Sequence, residues 1–166
     1  GDDELYTLGS YVRADGKPLG LFSGRKLRQT PPGVGTCRVG EAVWVEDVVE
    51  SGLKLLHALG FYGLSQVEFK RDPRDGAYKL MEVNPRLFQW HGLAAACGVD
   101  LPVTAYRDLT GEAVEPVSAN GRRRRWAITL QAGESPALQR PQYVDAVFAR
   151  DDLKPAFVQV ARLLRR

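Results

Sequence analysis

Gln66-Val-Glu-Phe-Lys-Arg-Asp72 and Leu80-Met-Glu-Val-Asn-Pro-Arg86 decide how this chain folds. Each alternates apolar and polar residues as a strand does, and Asp72-Pro-Arg-Asp-Gly76 between them supplies turn residues. Side chains alternate faces along a strand, and directly paired residues of an antiparallel hairpin point the same way. Odd-numbered Val67, Phe69, Met81 and Val83 therefore form a buried face, and Gln66, Glu68, Lys70, Glu82 and Asn84 share the other. That arrangement requires an odd-length turn, because a slip by one residue would send Glu82 away from Glu68. Tyr78, Lys79 and Leu80 break the alternation close to the turn.

Outward from this hairpin, residues 5–13 and 19–26 read as two strands joined by Ala14-Asp-Gly-Lys-Pro18. A loop rich in structure-breaking residues follows, Gln29-Thr-Pro-Pro-Gly-Val-Gly-Thr36. Apolar residues recur at the helical period over 41–59, with Gly60 as the stop. Pro85 ends the second strand of the hairpin, since it cannot extend a ladder. Short helices are expected over 87–97 and 102–109, a polar connection over 112–121 and a strand over 126–130. A last helix over 155–164 places Phe157, Val160, Ala161 and Leu164 on one face.

With 166 residues, the chain is long enough for one domain with its own core. No apolar run approaches the roughly 20 residues of a membrane helix. The acidic start, Gly1-Asp-Asp-Glu4, lacks the basic and apolar regions of a signal peptide. Cys37 and Cys97 have neither metal-type spacing nor the makings of a disulfide framework, so a reduced, cytoplasmic compartment is expected. The net charge of +3 owes much to Arg122-Arg-Arg-Arg125 and Arg165-Arg166. No aromatic interleaving or recognition-helix pattern accompanies that run, so nucleic acid is not the expected partner.

Two carboxylates, a carboxamide and a guanidinium on one sheet face are what a Mg²⁺–triphosphate site requires. Glu68 and Glu82 repel each other unless a cation lies between them, and Asn84 adds a neutral oxygen. Arg86 can donate charge-assisted hydrogen bonds to phosphate. A solvated polar face with Glu–Lys and Glu–Arg pairs has the same spacing, which leaves both readings open.

At these residues the sequence resembles the ATP-grasp superfamily of carboxylate–amine ligases, in a form similar to carbamoyl-phosphate-synthase-type enzymes. Met81-Glu-Val-Asn-Pro-Arg86 looks like that family's metal-binding strand end, and Val67-Glu-Phe69 like its preceding metal-ligand strand. The likeness continues through Gly24-Arg-Lys-Leu-Arg-Gln29 and Gly98-Val-Asp-Leu-Pro102, covering about residues 1–110. It implies that ATP phosphorylates a carboxylate to an acyl phosphate, from which an amine or other nucleophile then displaces phosphate. Glu68, Glu82 and Asn84 match the ligands of Mg²⁺ or Mn²⁺. Arg86 matches an arginine that stabilises phosphate or the intermediate, and with Lys26 and Arg28 it makes up the expected catalytic set. Gly33 and Gly35 would let a loop close over substrate, while Trp90 and His91 could line its pocket. The structural alternatives are turn glycines, surface charge at Lys26 and Arg28, and packing roles for His57, His91 and Cys97.

The family's nucleotide-clamping lysines, adenine-binding strand and linker precede the segment matched here. The resemblance therefore implies the C-terminal portion of an ATP-grasp fold, an N-terminal half being its missing partner. That portion, expected to be inactive alone, spans 1–111, with 112–166 as an extension packed on the same domain. The expected fold is α+β, a mainly antiparallel sheet with helices packed on one face. Its polar face would stay open, with apolar surface available to a homodimer. A non-catalytic binding or assembly module with the same fold is the alternative.

Overall fold

The computed structural model describes residues 4–33, 35–128, 143–149 and 152–164. Its strands are β1 (Leu5–Val12), β2 (Pro18–Thr30), β3 (Thr36–Ala42), β4 (Gly63–Arg71), β5 (Tyr78–Asn84), β6 (Val117–Ser118), β7 (Arg125–Ala127) and β8 (Tyr143–Asp145). The helices are α1 (Glu46–Ala58), α2 (Gly92–Ala96), α3 (Leu101–Leu109) and α4 (Lys154–Leu164). All eight strands join one sheet in the order β5-β4-β1-β2-β3-β7-β8, with β6 parallel to one end of β2. The pairs from β5 across to β7 are antiparallel, and β7–β8 is parallel. The mainly antiparallel α+β architecture matches the expectation. Residues after 111 add β6, β7 and β8 to the same sheet.

Helices cover both faces of that sheet, where only one was expected to be covered. Leu8 and Gly9 are neighbours in β1 and must point to opposite sides. A side chain at Gly52 of α1 would strike Leu8 at 2.5 Å, whereas one at Gly9 would strike Phe88 at 2.4 Å and come within 3.5 Å of Leu101 of α3. The α1 side buries Tyr6, Leu8, Val48, Val49, Leu56, Val67 and Phe69. The other side buries Phe22, Phe88, Trp90, Leu93, Val99, Leu101 and Trp126. The polar hairpin residues occupy one end of this second face, beyond the aromatic cluster. The motif and the helices that follow it share a face because Phe88 and Trp90, just after Arg86, are pulled into the core.

The hairpin register holds the main surprise. Arg71 pairs with Tyr78, Lys70 with Lys79 and Phe69 with Leu80, which encloses an even-length turn. That turn alone would have sent Glu82 to the wrong face. A bulge at Met81 shifts the register, after which Glu68 pairs with Glu82, Val67 with Val83 and Gln66 with Asn84. The bulge also explains the three irregular residues. Tyr78 and Leu80 lie on the apolar side, where Tyr78 meets Tyr6 edge-on with ring centroids 5.0 Å apart, and Lys79 joins the polar side.

Other boundaries moved. The expected 41–59 helix is α1 alone, preceded by β3, whose Thr36-Cys-Arg-Val39 stretch had not been read as a strand. Between Arg86 and α2 the chain turns without forming a helix. On α4, Ala156 is buried while Phe157 is 70% exposed, so the expected apolar face is not the packed one. Residues 129–130 of the expected β7 strand lie outside the described residues. Among the described residues no helix is long and apolar enough to cross a membrane.

Candidate functional site

Four adjacent strands carry the polar cluster. Thr7 of β1 pairs with Glu68 of β4, and Glu68 pairs with Glu82 of β5, so the three share one cross-strand row. Lys26 of β2 pairs with Leu5 one step along the same face. Its Nζ lies 2.7 Å from Glu68 Oε1, and both residues are only 8% exposed. The same oxygen accepts from Gln66 Nε2 at 3.0 Å and from Thr7 Oγ1 at 3.3 Å. Asn84 donates through Nδ2 to Glu82 Oε1 at 2.7 Å and to Gln66 Oε1 at 3.4 Å. Its side-chain oxygen, Oδ1, accepts no hydrogen bond among the described residues.

Burial pushes the Glu68 carboxyl above the ordinary glutamate range, against the pull of Lys26, and its hydrogen bond to Glu82 adds to the rise. Glu82 moves the other way, chiefly because it accepts from Glu68 and then from Asn84. The two carboxylates are thus coupled, and Glu68 is the more easily protonated of the pair. A cation between them would relieve the mutual repulsion of the ionised pair, and Asn84 Oδ1 would be available to join it. No group of three His, Cys, Asp or Glu side chains gathers among the described residues, so protein oxygens alone would not complete a coordination shell. That suits a divalent cation shared with phosphate oxygens.

A cavity of about 360 Å³ opens onto the cluster. Lys26, Gln29, Gln66, Glu68, Glu82 and Arg86 give it a charged side, and Phe88, Trp90 and Met81 an apolar one. Arg86 is exposed and donates through Nη1 to the carbonyl of Leu87 at 3.2 Å, which leaves most of its guanidinium toward solvent. Gly33 and Gly35 line the rim. A Cβ at Gly35 would lie 2.1 Å from the Thr30 carbonyl carbon, so only glycine lets this loop fold back on β2. Cys37 also lines the cavity, but burial raises its thiol to about 12, which makes it inert.

The structure brings Lys26, Glu68, Glu82, Asn84 and Arg86 together. It does not bring Arg28 to the cavity. A bulge at Leu27 pairs Arg28 with Val39, and Gln29 is the next β2 side chain to line the cavity after Lys26. Trp90 lines the cavity, whereas His91 turns aside and hydrogen-bonds the Phe88 carbonyl at 2.8 Å. Thr7 and Gln29 were missed by sequence reading. Thr7 was findable from the β1–β4 pairing, while Gln29 depended on a bulge that leaves no sequence signature.

The architecture is shared with known enzymes. A complete pyruvate carboxylase from Rhizobium etli superposes with a TM-score of 0.59 at 20% identity, over 73% of this chain and 13% of that one. Biotin carboxylase from Campylobacter jejuni, solved as a βγ-ATP complex, gives 0.56 at 17% identity, over 69% and 26%. Residues 43–115 match the family model described as the ATP-binding domain of the carbamoyl-phosphate synthase L chain. This is an ATP-grasp fold. The matched stretch holds Glu68, Glu82, Asn84 and Arg86, while Lys26 and Gln29 precede it. A D-aspartate ligase from Enterococcus faecium is 32% identical over 87 residues, 51% of this chain and 21% of the ligase. The chain therefore spans about a fifth of that ligase, and 13% and 26% of the two carboxylases.

Proposed function

We propose that this ATP-grasp chain supplies the metal- and phosphate-binding portion of an ATP-dependent carboxylate–amine ligase working through an acyl phosphate. The observation that carries the reading is the Glu68–Glu82 pair, two carboxylates directly opposed across β4 and β5 at the mouth of a cavity beside two cationic side chains. Glu68, Glu82 and Asn84 Oδ1 would hold Mg²⁺ or Mn²⁺, whose charge would offset that of the transferring phosphates. Arg86 is placed to bind phosphate or acyl-phosphate oxygens. Lys26 orients Glu68 and, once a cation relieves it, can turn to an anionic oxygen in the cavity. Both cysteines are free thiols, which suits a reducing compartment such as the cytoplasm.

Substrate class follows from the relative and the cavity together. The D-aspartate ligase match supports a small amino-acid-like carboxylate or amine, and about 360 Å³ suits such a molecule with the end of a triphosphate. In the whole protein, Glu82→Gln should cut substrate-dependent ADP formation by about a hundredfold or more. The 166-residue chain alone should stay at background in the same assay. One observation favours a second reading, a non-catalytic module: Lys26 already satisfies Glu68 without a metal. Unchanged ADP formation by Glu82→Gln would establish that reading instead.

A further inference from the structure

The arginine run 122–125 has no part in the cavity above, yet it builds a second concave site on the opposite face of the sheet. Directly paired residues form one row across five strands: Tyr6, Arg25, Glu41, Arg125 and Tyr143. Tyr6 belongs to the α1-side core, so the whole row lies away from Glu68. Arg25 donates to Glu41 Oε1 through Nε at 3.0 Å and also through Nη2. Arg125 donates through Nε to Glu41 Oε2 at 3.3 Å and through Nη1 to Tyr143 Oη at 3.3 Å. Both oxygens of the one carboxylate are therefore used, and Arg25 is held by a hydrogen bond with Tyr6 as well.

A cavity of about 460 Å³ lies over this row, lined by Arg25, Glu41, Ala42, Val43 and Arg123, Arg124 and Arg125. Arg123, just before β7, reaches the cavity as well. It has no acidic partner among the described residues. Arginines outnumber the one glutamate in this lining and leave the site positive, and the Arg25–Glu41–Arg125 bracing fixes two guanidiniums before any ligand arrives. Planar, pre-oriented guanidiniums in a concavity favour bidentate capture of phosphate oxygens.

We propose that this cavity is an anion site for a small phosphorylated molecule, distinct from the Glu68 cluster and independent of metal. Its lining is a few neighbouring arginines around one glutamate and not an extended basic stripe, which favours a small ligand over a polynucleotide. Because Arg25 and Lys26 are adjacent and point to opposite faces, a bound anion would act on the strand that carries the Glu68 partner.

The test is pyrophosphate binding to the 166-residue chain by calorimetry, in chelator and at low salt. Binding should be retained in Glu82→Gln and weakened about tenfold in Arg123→Ala. Arg122→Ala, outside the cavity, should change it less than twofold. No binding in chelator would overturn the proposal, as would equal losses in Arg122→Ala and Arg123→Ala, which would make the run a diffuse charge. Tighter binding of duplex DNA than of pyrophosphate, equally sensitive to Arg122→Ala, would overturn it in favour of nucleic acid. Arg123 is exposed and outside the core, so its loss leaves the fold intact.

Discussion

Two neighbouring cross-strand rows, one on each face of the sheet, carry opposite charge plans. In the Thr7–Glu68–Glu82 row, two carboxylates meet one ammonium from Lys26. In the Arg25–Glu41–Arg125 row, two guanidiniums meet one carboxylate. Glu68 and Lys26 are almost fully buried, whereas Arg25 and Arg125 side chains keep 33% and 42% of their surface. The first cluster therefore feels its charge imbalance in a low dielectric, which makes Glu68 easier to protonate. The second disperses its imbalance into solvent. Each leaves room for a counter-ion of the sign it lacks, a cation on one face and an anion on the other.

Removing the single counter-charge from each cluster separates them, and the larger effect belongs to the buried one. Lys26→Met should destabilise the chain by about 3 kcal/mol at neutral pH, because it leaves a buried carboxyl without its partner. Glu68 already has a folded pKa above its ordinary value, so its contribution is fully present in acid and is lost as pH rises through that value. Lys26→Met removes the main influence holding it down. The deficit should therefore be small below the ordinary glutamate range and grow as pH climbs above it, as denaturant melts at several pH values would record.

On the opposite face, Glu41→Gln should cost about 1 kcal/mol and recover in high salt, because the two arginines it leaves facing each other are reached by solvent. That deficit should be flat through neutral pH, since arginine stays charged throughout. A deficit that tracks pH as the Lys26 variant does would break the contrast between the faces.

The smallest effect expected is that of deleting Met81. Without the bulged residue the ladder closes regularly, with Phe69 still opposite Leu80 and Glu68 still opposite Glu82. Stability should stay within about 1 kcal/mol of the parent, and Glu68 should still titrate above its ordinary range. Normal titration of Glu68 in the deletion would show that the buried cluster around it had opened.

Much of this was legible in the sequence, and the failures share one cause. Alternation put Glu68, Glu82 and Asn84 on a common face and was right about the outcome. It was wrong about the turn, because the Met81 bulge corrected an even-length loop. Tyr78, Lys79 and Leu80 carried that signal as broken parity. The Leu27 bulge had no such trace, and it exchanged Gln29 for Arg28 at the cavity. Both errors arise where strand pairing, a long-range property, overrides local periodicity. The second helix-covered face was hidden for a related reason. Gly9, Gly20 and Gly24 look like weak strand residues, yet they are the clearances through which Phe88, Leu101 and Trp90 reach the sheet.

The central claim is that the Glu68–Glu82 pair is a cation site and the arginine row is not. Titrating Mn²⁺ into the chain with side-chain carboxyl groups labelled for NMR tests it directly. The Glu68 and Glu82 resonances should broaden together at concentrations that leave Glu41 sharp. Broadening of Glu41 first, or of all exposed carboxylates alike with no preference for the pair, would contradict the account.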